Sequence, residues 1–87
     1  MPSGRLSSFL LLTAPQLGVL LVTQRKHLKF TPKQLAHRLG LSQNRVSYLE
    51  RTPAEISVRQ LLTWCAVLEL DLRLEERKPA AENISEW

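Results

Sequence analysis

Three helix-start signals of one kind recur along the chain, and they constrain its fold more than any other feature. Each is a capping box, in which a Ser or Thr before a helix is followed three residues later by a Gln. The hydroxyl accepts a hydrogen bond from an unpartnered backbone N–H of the first turn, and the Gln side chain accepts one from the backbone of the cap. The boxes are Thr13-Ala-Pro-Gln16, Thr31-Pro-Lys-Gln34 and Ser57-Val-Arg-Gln60.

Each box has a hydrophobic staple, a pair of apolar residues that flank the cap and fix the path of the chain into the helix. The staple pairs are Leu12 with Leu17, Phe30 with Leu35, and Ile56 with Leu61. A fourth helix start is at Ser42, where Leu41 and Val46 form the staple and Arg45 replaces Gln. The four signals predict helices over residues 14–27, 32–39, 43–51 and 58–69.

Apolar residues at helical spacing predict the buried face of each helix. The predicted core is Leu17, Leu20, Leu21 and Leu28 from the first helix, Leu35, Ala36 and Leu39 from the second, Val46 and Leu49 from the third, and Val58, Leu61, Leu62, Cys65 and Leu68 from the fourth. Cys65 is therefore interpreted as a small core residue rather than a reactive thiol. Trp64 lies beside the fourth stripe, where it either caps the core or faces a second subunit.

After Glu69 the pattern changes to strict alternation, which predicts a β-strand with one apolar face. Its apolar residues are Leu70, Leu72 and Leu74. The strand's partner is either the poorly alternating segment before Thr13 or the same strand of a second copy, as a two-stranded ribbon across a homodimer. An 87-residue chain with one cysteine is marginally stable alone and has no disulfide, which favours the dimer.

The charge of the chain is unevenly distributed. Residues 25–51 contain seven basic residues and one acidic residue, a net charge of +6, whereas residues 52–87 carry a net charge of −3. The basic segment is either a solvated surface or a binding surface for an anionic partner.

The basic segment contains a pattern that separates these alternatives. Gly40 ends one short helix at a position that requires a left-handed backbone, and the small Ala36 lets the next helix approach closely. Leu35, Leu41 and Val46 close a small core between the two helices. This combination indicates a helix-turn-helix, whose second helix enters the major groove of DNA, rather than an ordinary helical hairpin.

The predicted outer face of the third helix carries side chains that read DNA bases. Amide side chains bond adenine and guanidinium groups bond guanine in a bidentate way, and hydroxyls and helix starts suit phosphates. The predicted base contacts are Gln43, Asn44, Arg45 and Ser47. The predicted phosphate contacts are Lys29, Thr31, Lys33, Arg38, Ser42 and Arg51.

The residues named so far resemble the lambda-repressor-like helix-turn-helix family, whose pattern is matched at Leu35, Ala36, Leu39, Gly40, Leu41, Ser42, Gln43, Val46, Ser47 and Glu50. Over residues 13–76 the chain is most similar to the HipB-type antitoxins within that family. The resemblance implies a mainly α fold, a bundle of four to five short helices with a C-terminal β-strand that pairs across a homodimer. Pro32 replaces the Gln that is common in the family, so the phosphate contact of that Gln is either lost or supplied by Lys33.

The same resemblance implies a function. It predicts a transcriptional autorepressor that binds a palindromic operator in double-stranded DNA and also neutralises a HipA-like serine/threonine kinase toxin. The domain is expected over residues 13–76, between an N-terminal arm (1–12) and a flexible tail (77–87). Trp87 ends the tail and is either incidental or a toxin contact. The alternative functions are a stand-alone helix-turn-helix regulator and a pure protein-interaction module.

Other classes of protein are not expected. No nucleophile and base lie at a recognisable spacing and there is no Gly-rich phosphate loop, so the protein is not expected to be an enzyme. One Cys and two His give no four-ligand zinc site, and neither a metal nor a cofactor is expected. No apolar stretch reaches membrane-spanning length and no cleavage site follows residues 9–22, so we expect a cytoplasmic protein with no membrane partner.

Overall fold

The computed structural model describes residues 8–77. They form four α-helices and one 3-10 turn, Pro53–Glu55, which lies between the third and fourth helices. The helices are α1 (Ala14–His27), α2 (Pro32–Leu39), α3 (Gln43–Arg51) and α4 (Val58–Val67). The prediction of four helices is confirmed, and only α4 differs in its bounds, since it ends two residues earlier than expected.

The predicted capping boxes form in full at α2 and α4. At α1 only half of the box forms, since the Gln16 side chain accepts from the Thr13 N–H at 3.0 Å but the Thr13 hydroxyl makes no cap hydrogen bond. At α2 the Thr31 hydroxyl accepts from the Gln34 backbone N–H at 3.1 Å, and the Gln34 side chain accepts from the Thr31 N–H at 2.8 Å. Ser57 and Gln60 make the same reciprocal pair at α4, with distances of 3.0 and 3.1 Å. These hydrogen bonds use groups that have no partner within the helix, so each start is fixed by its own few residues.

Three helices end in the same way, on a residue with a left-handed backbone. The residue is Gly40 after α2, but Lys29 after α1 and Glu69 after α4, with φ of 71°, 64° and 60°. The next residue then bonds back into the helix, as when the Leu70 N–H donates to the Cys65 carbonyl at 2.8 Å. This turn at Glu69 explains why α4 stops before its predicted end.

Trp64 lies at the centre of the core, which corrects its predicted place at the edge. It is fully buried with Leu21, Leu35, Ala36, Val46, Leu49 and Leu68. Burying the wide indole turns α4 so that its inner face runs through Leu61, Trp64, Cys65 and Leu68. The predictions that Val58 and Leu62 are buried are wrong, since they lie 70% and 52% exposed on the flank of the helix.

Gly18 lets α1 approach the end of α3 with no side chain between them. A Cβ atom at Gly18 would lie 2.8 Å from the Glu50 carbonyl oxygen and 3.0 Å from the ring of Pro53. The first half of α1 therefore packs directly on the junction between α3 and the 3-10 turn. The close contact fixes the C-terminal end of α3.

Two consecutive polar residues of α1 are buried and hold distant parts of the chain. The Arg25 Nε atom donates to the Glu50 carboxylate at 2.7 Å, one Nη donates to the other carboxylate oxygen at 3.3 Å, and the second Nη donates to the Phe30 carbonyl at 3.0 Å. The Gln24 side chain donates to the Leu68 carbonyl at 2.9 Å. Helix α1 is thus tied to α3, to the α1–α2 turn and to the end of α4.

The segment after α4 forms no regular secondary structure within the described residues. Leu70 is half-buried against the core, but residues 71–77 are exposed and Leu74 is 99% exposed. A strand needs a partner for its backbone groups, and in the predicted dimer that partner is a second copy of the chain. The structure contains one copy, so the predicted pairing stays a prediction. Trp87, residues 1–7 of the arm and residues 78–87 of the tail lie outside the described residues.

We predict that removing one partner of the Arg25–Glu50 pair destabilises the fold strongly. Glu50→Gln should lower the free energy of unfolding by about 3 kcal/mol, because it leaves a buried guanidinium without its counter-charge. Both side chains are only 9% exposed, so water does not replace the lost partner. Urea titration followed by circular dichroism measures the change.

Two further variants serve as controls. The double variant Arg25→Met/Glu50→Leu removes both charges and should recover part of the loss. Arg73→Met removes the exposed Arg73–Glu75 pair and should change the free energy of unfolding by less than about 0.5 kcal/mol. Equal effects of Glu50→Gln and Arg73→Met would contradict the prediction.

Candidate nucleic-acid interface

Helices α2 and α3 form the predicted helix-turn-helix. Leu35 and Ala36 of α2 and Val46 of α3 are buried, and Leu41 of the turn is half-buried. Gly40 forms the turn with a left-handed φ of 71°, and no atom lies within 4 Å of where its Cβ would be. The backbone conformation, and not crowding, therefore favours glycine here, because a left-handed φ strains a residue with a side chain.

The outer face of α3 is polar and accessible. Gln43, Asn44 and Arg45 are exposed, and Ser47 is half-buried. Since Val46 and Leu49 face the core, the structure brings the four predicted base-contact residues together on the accessible part of one helix. A polar helix face that is accessible to solvent is what recognition through the major groove requires.

The starts of α2 and α3 leave hydroxyl donors free for an anion. The Ser42 hydroxyl accepts from the Arg45 backbone N–H at 3.0 Å, which confirms it as the α3 cap. A hydroxyl that accepts one hydrogen bond still has its own O–H to donate, and the same holds for Thr31. Together with the positive end of each helix dipole, these groups suit a phosphate oxygen.

The buried ion pair changes the charge of this surface. Arg25 belongs to the basic segment of the sequence, but it is buried and neutralises Glu50, the only acid between residues 25 and 51. What remains exposed is six cations with no acid among them, Lys26, Lys29, Lys33, Arg38, Arg45 and Arg51. Five of the six were predicted to contact DNA, and the sixth, Lys26, was missed.

Two arginines of this surface lie against aromatic rings. The Arg38 Cζ atom is 4.8 Å from the centre of the Phe30 ring, and the Arg45 Cζ atom is 5.5 Å from the centre of the Tyr48 ring. The Tyr48 hydroxyl donates to the Glu55 carboxylate at 2.7 Å. Tyr48 and Glu55 were not among the predicted site residues, although the three-residue spacing from Arg45 to Tyr48 is that of neighbours on a helix.

The described residues offer little for catalysis or metal binding. Within residues 8–77, no group of three His, Cys, Asp or Glu side chains is placed to hold a metal ion. Burial raises the pKa of the Cys65 thiol, which therefore stays protonated and weakly nucleophilic at neutral pH. None of the four described helices is long and apolar enough to cross a membrane.

Two short helices that are joined by a turn at Gly40, with a polar and cationic outer face, define a DNA-binding helix-turn-helix protein. Comparison with known proteins agrees, because the model of the family described as Helix-turn-helix matches residues 21–74, more than half of the chain. The chain therefore belongs to the helix-turn-helix family. No curated protein gives a significant match.

One solved structure supports a closer relationship. A chain in the structure of the HipA-HipB-O2-O3 complex is similar with a TM-score of 0.69 and 25% sequence identity, over 80% of this chain and 100% of that chain. The resemblance to HipB-type proteins of the lambda-repressor-like family is thereby confirmed. The fold and family point to a regulator rather than an enzyme.

Proposed function

We propose that this protein is a dimeric transcriptional autorepressor and the antitoxin of a HipA-type kinase toxin. The observation that carries the DNA-binding part is the exposed polar face of α3, in a segment, residues 26–51, that has six exposed cations and no exposed acid. Phosphates supply most of the affinity of such a surface, and base edges supply its specificity. The protein would act in the cytoplasm, on the DNA of its own operon.

The DNA contacts divide between base reading and positioning. On α3, the base contacts are Gln43, Asn44, Arg45 and Ser47. The phosphate contacts are Lys29, Thr31, Lys33, Arg38, Ser42 and Arg51, and we add the exposed Lys26. In a twofold dimer, two copies of α3 would lie in successive major grooves about 34 Å apart, which requires a palindromic operator.

Exposed leucines support the dimer. Leu72 and Leu74 lie in water in the isolated chain, and Val58 and Leu62 of α4 add further exposed apolar surface. A small domain gains stability by covering such surface, and a strand over residues 70–74 would gain backbone partners from its copy. We therefore propose that Leu70, Leu72 and Leu74 form the dry face of an intersubunit ribbon.

The toxin partner rests on the similarity to a chain from the HipA-HipB-O2-O3 complex. We propose a HipA-like serine/threonine kinase as the partner and Trp87 as one of its contacts. A terminal Trp is an efficient anchor, because a large rigid side chain buries much area at little entropic cost.

The DNA-binding proposal predicts that Arg45→Ala weakens binding to a duplex from the region upstream of its own gene by about tenfold, through loss of one bidentate contact. Wild-type affinity should fall on the order of 10³-fold between 50 and 200 mM salt, because several phosphate contacts release counterions. Fluorescence anisotropy measures both. Arg77→Ala removes the same charge outside residues 26–51 and outside the proposed ribbon, so it should leave affinity unchanged. Equal affinities of the wild type, Arg45→Ala and Arg77→Ala would refute the contact.

The dimer proposal predicts that Leu74→Asp raises the dimer dissociation constant by at least about 100-fold, since each buried leucine contributes about 1.5–3 kcal/mol and the dimer holds two. Sedimentation velocity at micromolar concentration gives the oligomeric state. Leu10→Asp, at another exposed leucine that lies outside the ribbon, is the matched control. A wild-type protein that sediments as a monomer would contradict the proposal.

The toxin proposal predicts that a HipA-like kinase encoded beside this gene co-purifies with the protein after co-expression. Trp87→Ala should weaken that complex by about 30-fold, as loss of a binding hot spot does, and should leave DNA affinity unchanged. Glu86→Ala is the neighbouring control. If no kinase co-purifies, the protein is a stand-alone regulator; if Trp87→Ala binds the kinase as wild type does, Trp87 is not the anchor.

A further inference from the structure

Arg45, Tyr48 and Glu55 form a connected series at one flank of α3. The Arg45 guanidinium carbon lies 5.5 Å from the centre of the Tyr48 ring. The Tyr48 hydroxyl in turn donates to a carboxylate oxygen of Glu55 at 2.7 Å. Glu55 belongs to the 3-10 turn, so the series joins the recognition helix to the segment that follows it.

We propose that Tyr48 is a positioning residue, which holds the Arg45 guanidinium in place for reading one base pair, and that Glu55 fixes Tyr48. This inference rests on the proposed DNA-binding function and deepens it, because it names what determines specificity at one position of the operator. It assigns Tyr48 and Glu55 a role through Arg45, with no base contact of their own.

The physical basis is the freedom of an exposed arginine. An unsupported Arg samples many rotamers, and it loses that freedom when it binds a base. A ring beneath the guanidinium restricts the side chain before DNA arrives. A ring on one side of the guanidinium makes no hydrogen bond to its N–H groups, so these donors stay available for a bidentate contact to guanine.

An acid beside a cation usually forms an ion pair with it, but Glu55 accepts a hydrogen bond from Tyr48 instead. Across the described residues, no ion pair within 4.0 Å joins Glu55 to Arg45; the carboxylate instead accepts from the Tyr48 hydroxyl. It therefore holds the tyrosine hydroxyl and leaves the guanidinium donors of Arg45 without a direct bond to an acid. Since the 3-10 turn is anchored by buried Pro53, Tyr48 is held from a rigid part of the fold.

The second arginine–aromatic pair lacks a hydrogen bond that would fix its ring. Arg38 lies 4.8 Å from the Phe30 ring, but Phe30 has no hydroxyl to anchor, and Arg38 is on α2 rather than on the recognition helix. We assign Arg38 to a phosphate, a contact that does not require a fixed orientation of the guanidinium.

The test is a double-mutant cycle read out as base preference. A library of duplexes with a randomised central segment first gives the sequence that the wild-type protein prefers. Anisotropy titrations then measure the affinity of each variant for that duplex and for every single-base-pair change in it. The variants are Tyr48→Leu, Tyr48→Phe, Glu55→Gln, Arg45→Ala and the double variant Tyr48→Leu/Arg45→Ala.

Arg45→Ala should abolish the preference at one base pair of each half-site. Tyr48→Leu should lower the preference at that same base pair by about two- to fivefold, the size expected from an exposed cation–aromatic contact. In the Arg45→Ala background, Tyr48→Leu should have no further effect. Tyr48→Phe keeps the ring and should keep part of the preference, and Glu55→Gln keeps the hydrogen-bond acceptor and should keep most of it.

The control is a second double-mutant cycle, which combines Tyr48→Leu with Gln43→Ala. Gln43 is five positions from Tyr48 and does not neighbour it on the helix, so these two effects should be additive. The thermal midpoint of each variant separates loss of preference from loss of folded protein, because a structural defect lowers affinity for all duplexes alike.

Three results would overturn the inference. Additive effects of Tyr48→Leu and Arg45→Ala would show that the ring acts independently of the arginine. A lost preference at a different base pair would make Tyr48 a base contact itself. If the wild-type protein prefers no sequence at all, the proposed DNA-reading function fails, and the positioning role fails with it.

Discussion

The buried contact between Arg25 and Glu50 is the interaction on which the rest of the structure depends. One guanidinium bonds the Glu50 carboxylate and also the Phe30 carbonyl, so a single side chain of α1 fixes both the end of α3 and the turn into α2. Burying two charges is costly unless their hydrogen bonds are satisfied, and here the two-pronged contact satisfies most of them. Gly18 brings the backbones of α1 and α3 together beside it.

The same contact shapes the outer surface. It buries the only acid of residues 25–51, so the exposed charged residues of that segment are all cations. Helix α3 has nine residues and would not be stable alone in water. Its rigidity therefore comes from Val46 and Leu49 in the core, which leaves its polar residues free to contact a ligand. Packing on one side of the helix makes specific recognition by the other side possible.

Capping and turn chemistry are local, and for that reason the sequence alone determined the helices. Each cap at Thr31, Ser42 and Ser57 involves residues only three apart, so no tertiary contact is needed to predict it. Gly40 at the turn and the exposed position of Asn44 follow from the same short-range rules. The helix-turn-helix and most of its proposed contact residues could therefore be predicted from the order of the amino acids.

At positions where long-range contacts determine burial, only the tertiary structure decided which residues lie in the core. The hydrogen-bond partners that hold Arg25 and Gln24 in the interior lie 25 and 44 residues away in the sequence, so short-range patterns do not reveal them. Trp64 occupies the centre of the core because four helices meet there, and this turns Val58 outward. The hydrogen bond from Tyr48 to Glu55 also depends on the fold, since the 3-10 turn must return to α3. Helical periodicity indicates which face of one helix is apolar, but it contains no information about the shape of the space that the other helices leave.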